Sequence, residues 1–227
     1  MSNYFSQQTF QFLTQLANHN DKEWFNEHKQ DYEKFVREPA LAYISEMQSW
    51  IKMISPYYEA IPKKMGGSLM RVYRDVRFSK NKAPYKTNIG IQFRHEIGKD
   101  VHAPGFYLHI EPGNSFLGVG SWHPAPDALK AYRDHIVTKP GPYQDAIEHQ
   151  PFAECYQMTG NSLQRAPKGF DAEHPLIDEI KRKDFIALTP VSDQFIVADD
   201  LPEQTARLFG RAQPLQRFLC EALGLRF

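Results

Sequence analysis

The chain has 227 residues, its 27 basic and 27 acidic side chains cancel, and 41% of its residues are hydrophobic. A chain of this size buries about 70% of its unfolded surface on folding, enough for a core without metal or disulfide support. Zero net charge excludes a whole-protein electrostatic attraction to nucleic acid or anionic membrane, and 16 Phe, 11 Tyr and 3 Trp exclude a disordered chain.

The first sixty residues read as helices. Ser6 caps a run in which Phe10, Leu13, Leu16 and Ala17 recur at helical spacing, and Asn20 with Asp21 supplies an exit and the next cap. Trp24, Phe25, His28, Tyr32 and Phe35 form the face of a second helix. Pro39 fits the first turn of a third, which carries Leu41, Ile44, Met47 and Ile51 and stops at Ser55-Pro56.

The period then changes. Asn88 to Arg94 and Gly105 to Glu111 alternate apolar with polar residues, which predicts two half-buried strands; Ser115 to Gly120 is a third, joined to the second through Pro112-Gly113-Asn114. Leu69 to Asp75 suits a fourth strand, although Arg71, Arg74 and Arg77 also fit a helical stripe. Gly118-Val119-Gly120 reads as a bulge or tight exit before Trp122 and lacks the context of a phosphate loop.

Helical spacing returns at Pro126 to Ile136 and Tyr143 to Tyr156, with a short helix at Pro175–Lys181 and a strand at Phe185 to Leu188. Leu201 to Leu223 closes the chain as a helix that Gly210 and Pro214 break or kink. Helices, an antiparallel sheet over about residues 69–120, then helices describe one α+β domain spanning 1–227, with helices on one side of the sheet.

Charge is distributed unevenly. Residues 61–100 hold 10 basic and 3 acidic side chains, and Arg71 to Lys86 sets six cations against the single acid Asp75. Arginine forks and lysine point charges in such density suit a phosphorylated or carboxylated small molecule, with Arg71, Arg74, Arg77, Lys80, Lys82, Tyr85 and Lys86 as ligand-binding residues. The competing readings are a solvated loop, or an interaction module that docks an acidic protein partner or RNA. No nucleic-acid motif favours nucleic acid as the partner.

The blocks NHNDKEWF (18–25), RDVRFSKNKAPYK (74–86), PGFYLHIEP (104–112), GVGSWHP (118–124) and PKGFDAEHP (167–175) resemble a largely bacterial family known as domain of unknown function 2461. The resemblance spans most of the chain, implies a single whole-chain domain, and carries no activity, cofactor or catalytic residue with it.

If Phe106, Leu108 and Ile110 face the core, Tyr107, His109 and Glu111 share the opposite face with Gln92 and Arg94. A histidine beside a carboxylate makes His109 and Glu111 the candidates for acid/base catalysis, or alternatively for metal ligation, and His102 and His123 are near enough in sequence to join them; a solvated sheet face explains the same pattern. No histidine spacing implies a metal, and no motif implies a cofactor. Cys155 and Cys220 are isolated and are expected to be free thiols. Without signal-peptide features in Met1 to Phe12 or a stretch of ~20 apolar residues, the expected location is the cytoplasm, with no membrane partner.

Overall fold

The N-terminal third is built around one substitution of hydrogen-bond partners. Helix α1 (Gln7–Asn18) is followed by α2 (Lys22–Glu27), where the Asp21 carboxylate caps the Trp24 N–H at 2.9 Å. Then α3 (Lys29–Tyr32) passes through a π turn at Glu33–Arg37 into α4 (Glu38–Ile54). Pro39 therefore sits just inside a continuing helix. Having no N–H, it leaves the Phe35 carbonyl without its usual i+4 donor. The Thr9 hydroxyl of α1 donates to that carbonyl at 2.8 Å, which ties the first helix to the π turn. The computed structural model describes residues 4–97 and 103–227.

Six strands follow: β1 (Tyr58–Glu59), β2 (Ile89–His95), β3 (Gly105–Ile110), β4 (Ser115–Ser121), β5 (Gln157–Thr159) and β6 (Phe185–Val191). They form one antiparallel sheet in the order β1-β2-β3-β4-β6-β5. The alternation expected in β2 and β3 is realised, β4 forms as the third strand of the expected hairpin, and Phe185 does open a strand. The sheet reaches well beyond residue 120 because β6 pairs along the whole of β4. Within 69–75 the backbone makes only isolated bridges, Leu69 to Ile91 and Tyr73 to Tyr85, and forms neither strand nor helix. Three-residue β5 and two-residue β1 are too short for periodicity to reveal.

The remaining helices are α5 (Pro126–Thr138), α6 (Pro140–Glu148), α7 (Gln150–Ala153), α8 (Ile177–Ile180), α9 (Asp193–Ile196), α10 (Leu201–Arg211) and α11 (Gln213–Ala222). The closing helix breaks at Ala212, with Pro214 in the first turn of α11, as its proline requires. Helices α4, α10 and α11 cover one face of the sheet, where Ile91, Phe93, Phe106, Leu108, Leu117, Val119 and Ala187 are buried. Phe209 of α10 packs its ring 4.9 Å from that of Phe106. Both cysteines are free thiols. No helix among the described residues is long and apolar enough to cross a membrane.

Candidate functional site

The helices leave the opposite face of the sheet bare, and register decides what lines it. Period two puts Gly90, Gln92 and Arg94 of β2 on that face, beside Gly105, Tyr107 and His109 of β3. His109 lies opposite Gly90 and Phe116, Tyr107 opposite Gln92 and Gly118, and Gly105 opposite Gly120. Gly118 and Gly120 in turn face Leu188 and Ile186 of β6. Gly105, Gly118 and Gly120 remove the side chains that would fill the surface, while Met70 lies over Gly90. The result is an open cleft of about 510 Å³, walled by Met70, Phe116, Trp122, Ile186 and Leu188, with Gln92, Arg94, Tyr107 and His109 as its polar groups.

Two glycines are required by contact. A Cβ on Gly90 would stand 2.8 Å from both the Met70 sulfur and the Tyr107 hydroxyl oxygen, so the methionine lies over the floor only because position 90 is bare. Gly120 has φ +104°, and a Cβ there would stand 2.0 Å from the Phe185 carbonyl oxygen. The glycine block is thus neither a bulge nor an exit: it lies in register inside β4, and the chain leaves the sheet beyond Ser121.

The polar floor is a connected chain. The Tyr107 hydroxyl is 3.1 Å from His109 Nδ1, with the Asn88 amide at 3.4 Å, and His109 Nε2 is 3.4 Å from Glu111 Oε2. Asn114 donates to the same carboxylate oxygen at 2.7 Å, and the His109 ring stacks on Phe116 with centroids 4.5 Å apart. Burial lowers the His109 pKa against the opposing pull of Glu111. Burial, with Glu111 adding to it, pushes the Tyr107 hydroxyl up to about 12. The network assigns a neutral imidazole that donates from Nε2 to Glu111 and accepts at Nδ1 from Tyr107 and Asn88. Both ring nitrogens are then committed to protein groups. With its hydrogen directed into His109, Tyr107 presents oxygen lone pairs to the cleft.

The basic segment folds as a loop whose two arms are stitched by Arg74 N–H to the Pro84 carbonyl (2.9 Å) and Lys86 N–H to the Val72 carbonyl (2.8 Å). Asn20 acts as its backbone partner, accepting from Tyr85 N–H and donating to its carbonyl, each at 3.0 Å; the Tyr85 ring stacks on Phe25. Tyr85 is therefore the buried root of the loop. Arg77 grips Asp75 through two bonds of 2.9 and 2.7 Å, which hold that carboxyl at about 2. Arg74 and Lys82 donate to the Ala83 and Val76 carbonyls. Among the described residues, Arg71, Lys80 and Lys86 have no carboxylate within ion-pair distance. Burial, and then Arg71, depress the pKa of half-buried Lys86. No cation of 71–86 lines the cleft, but the segment adjoins it at both ends, through Met70 before and Asn88 after.

Of the other histidines, His123 does not join His109; it pairs with Asp184, and His102 lies outside the described residues. No group of three His, Cys, Asp or Glu side chains placed to hold a metal occurs among the described residues. Met70, Trp122, Leu188 and Asp184 escaped the sequence reading because each reaches its place through pairing distant along the chain. Tryptophan in the GVGSWHP block was the only signal available for any of them.

None of the curated proteins and none of the solved structures matches the chain. A family model described as a conserved hypothetical protein (DUF2461) matches residues 8–218, and with nearly the whole chain aligned to it the protein belongs to that family.

Proposed function

We propose that this protein binds a small carboxylated or phosphorylated molecule whose apolar or aromatic body lies in the cleft and whose acidic group meets Arg71 and Lys86 at its edge. The observation that carries this reading is the 510 Å³ cleft itself, which sits in the size range of small-molecule sites. Its walls are apolar, and its few polar groups converge on one floor, the arrangement that fixes a ligand's orientation. Arg71 follows Met70, which lies over that floor, and the mutual repulsion of Arg71 and Lys86 is relieved by an anion. The continuous buried core supports the single-domain reading.

Thermal unfolding in matched ionic strength tests this, with sodium phosphate, phenyl phosphate and benzoate as probes. Phenyl phosphate at 100 times its dissociation constant adds about 2.7 kcal/mol. The gain is expected to exceed that from inorganic phosphate and to vanish in Arg71→Ala/Lys86→Ala. No stabilisation of the wild type beyond that given by chloride contradicts the reading.

A second reading rests on Phe78, which is 96% exposed at the loop tip between Arg77 and Lys80. An aromatic side chain among cations suits docking on an acidic protein surface or RNA. Phe78→Ser separates the two, since it abolishes docking and leaves phenyl phosphate binding unchanged.

A further inference from the structure

The register that builds the cleft also brings together two residues 61 positions apart. Ser121 ends β4 and pairs with Phe185, which opens β6, so the residues just outside the ladder, His123 and Asp184, meet. His123 has φ +49° and is the sole non-glycine among the described residues in the left-handed region. Its backbone N–H donates to Asp184 Oδ1 at 2.9 Å, and its ring Nδ1 is 3.0 Å from the same oxygen. The other oxygen of Asp184 accepts the Asn161 N–H at 2.9 Å. Gly160, at φ +100°, makes room for this, because a Cβ there would come within 2.6 Å of the Asp184 Cβ.

The carboxylate is fully buried, triply held and fixed in place, while the imidazole it holds is 60% exposed. With Nδ1–H given to Asp184, the lone pair of the neutral ring is at Nε2, and no described group bonds that atom. His109 shows the contrast, since both of its nitrogens are occupied. The His123 ring lies against Trp122, with centroids 4.4 Å apart, and Trp122 walls the cleft. A backbone outlier, a buried carboxylate and an imidazole with one free nitrogen thus coincide behind Trp122, one residue outside the lining of the cleft.

We propose that His123, oriented by Asp184, is an acid–base residue serving the hydrolysis of a carboxylic ester held in the cleft; this rests on the cleft reading above. Nε2 takes a proton from water as the water oxygen bonds to the acyl carbon, and Asp184 offsets the charge of the imidazolium. The tetrahedral adduct collapses with cleavage of the acyl C–O bond. His123 returns its proton to the departing alkoxide, or to solvent where the leaving group is a phenolate, and the products are a carboxylic acid and an alcohol or phenol.

The probe is mono-p-nitrophenyl terephthalate, an aromatic ester that keeps a carboxylate for Arg71 and Lys86, with release of p-nitrophenolate followed on the full chain across pH, and phenyl phosphate stabilisation measured in parallel. The wild type is expected to turn the ester over at least tenfold faster than His123→Gln across the pH range followed. Asp184→Asn lowers the rate as well; should it fail to fold, His123→Gln decides alone. Equal rates in wild type and His123→Gln overturn the acid–base role even where phenyl phosphate still stabilises both. Retained stabilisation with lost turnover supports it. Stabilisation absent from both overturns the cleft reading separately.

Discussion

The two faces of one sheet have been given different tasks by the same strands. On β3, Phe106, Leu108 and Ile110 are wholly buried under α10 and its neighbours, whereas Tyr107 and His109, one residue away from each, remain partly open and hydrogen-bonded. The covered face is filled by branched and aromatic side chains. The bare face is kept hollow by Gly105, Gly118 and Gly120. A sheet of period two can therefore separate stability from recognition residue by residue, and substitutions on neighbouring positions should have effects of different size and kind.

The largest effect is expected on the covered face. Phe106→Ala deletes a fully buried ring packed on Phe209 and Tyr58, and costs ~3–5 kcal/mol in denaturant unfolding. A loss below about 1 kcal/mol would mean that the helices do not seal this face. Next comes a pair of glycines two residues apart. Gly120→Ala forces a Cβ against the Phe185 carbonyl at an unsuitable φ and is expected to cost about 2–3 kcal/mol. Gly118→Ala meets only the movable Leu188 methyl at 3.1 Å, and stays within about 1 kcal/mol while weakening phenyl phosphate binding. Equal destabilisation by both would break the distinction between required and space-making glycines.

Smaller effects belong to the polar floor. Tyr107→Phe removes one hydrogen bond to His109 and is expected to cost about 1 kcal/mol, read from the denaturant midpoint. The pH dependence sharpens this. Burial places the folded-state pKa of His109 below the unfolded value of about 6.5. Above that pH both states are neutral and nothing is lost. As pH falls through it the unfolded chain binds the proton more readily, so stability declines until the folded-state value is passed. His109→Gln should flatten that part of the acid limb. An unchanged acid limb in the variant would show that His109 is not held neutral. At the bottom of the scale, Arg77→Ala breaks an exposed pair and should leave the melting midpoint unmoved.

How much of this was written in the sequence depends on the distance over which each feature is decided. Alternation within β2 and β3 is local, so the shared face of Gln92, Arg94, Tyr107, His109 and Glu111 was legible from spacing alone. The pairing of β6 with β4 is not local, and with it went Leu188, Ile186 and the meeting of His123 with Asp184. The charge of 71–86 was plain, but its internal settlement was not. That Arg77 would be spent on Asp75, and Lys82 on a backbone carbonyl, follows from the turn that Tyr73 and Tyr85 close. The glycines of β4 were read as punctuation because glycine usually marks a bend; here they hollow a surface.

The most direct measurement is a backbone amide NMR titration with phenyl phosphate, using the glycines as reporters. The resonances of Gly105, Gly118 and Gly120 are expected to move together along one binding curve, while those of Gly66, Gly113 and Gly141, which are not in the cleft lining, stay fixed. Shifts confined to Arg77, Phe78 and Lys80, with the three cleft glycines unmoved, would contradict the assignment of recognition to the bare face.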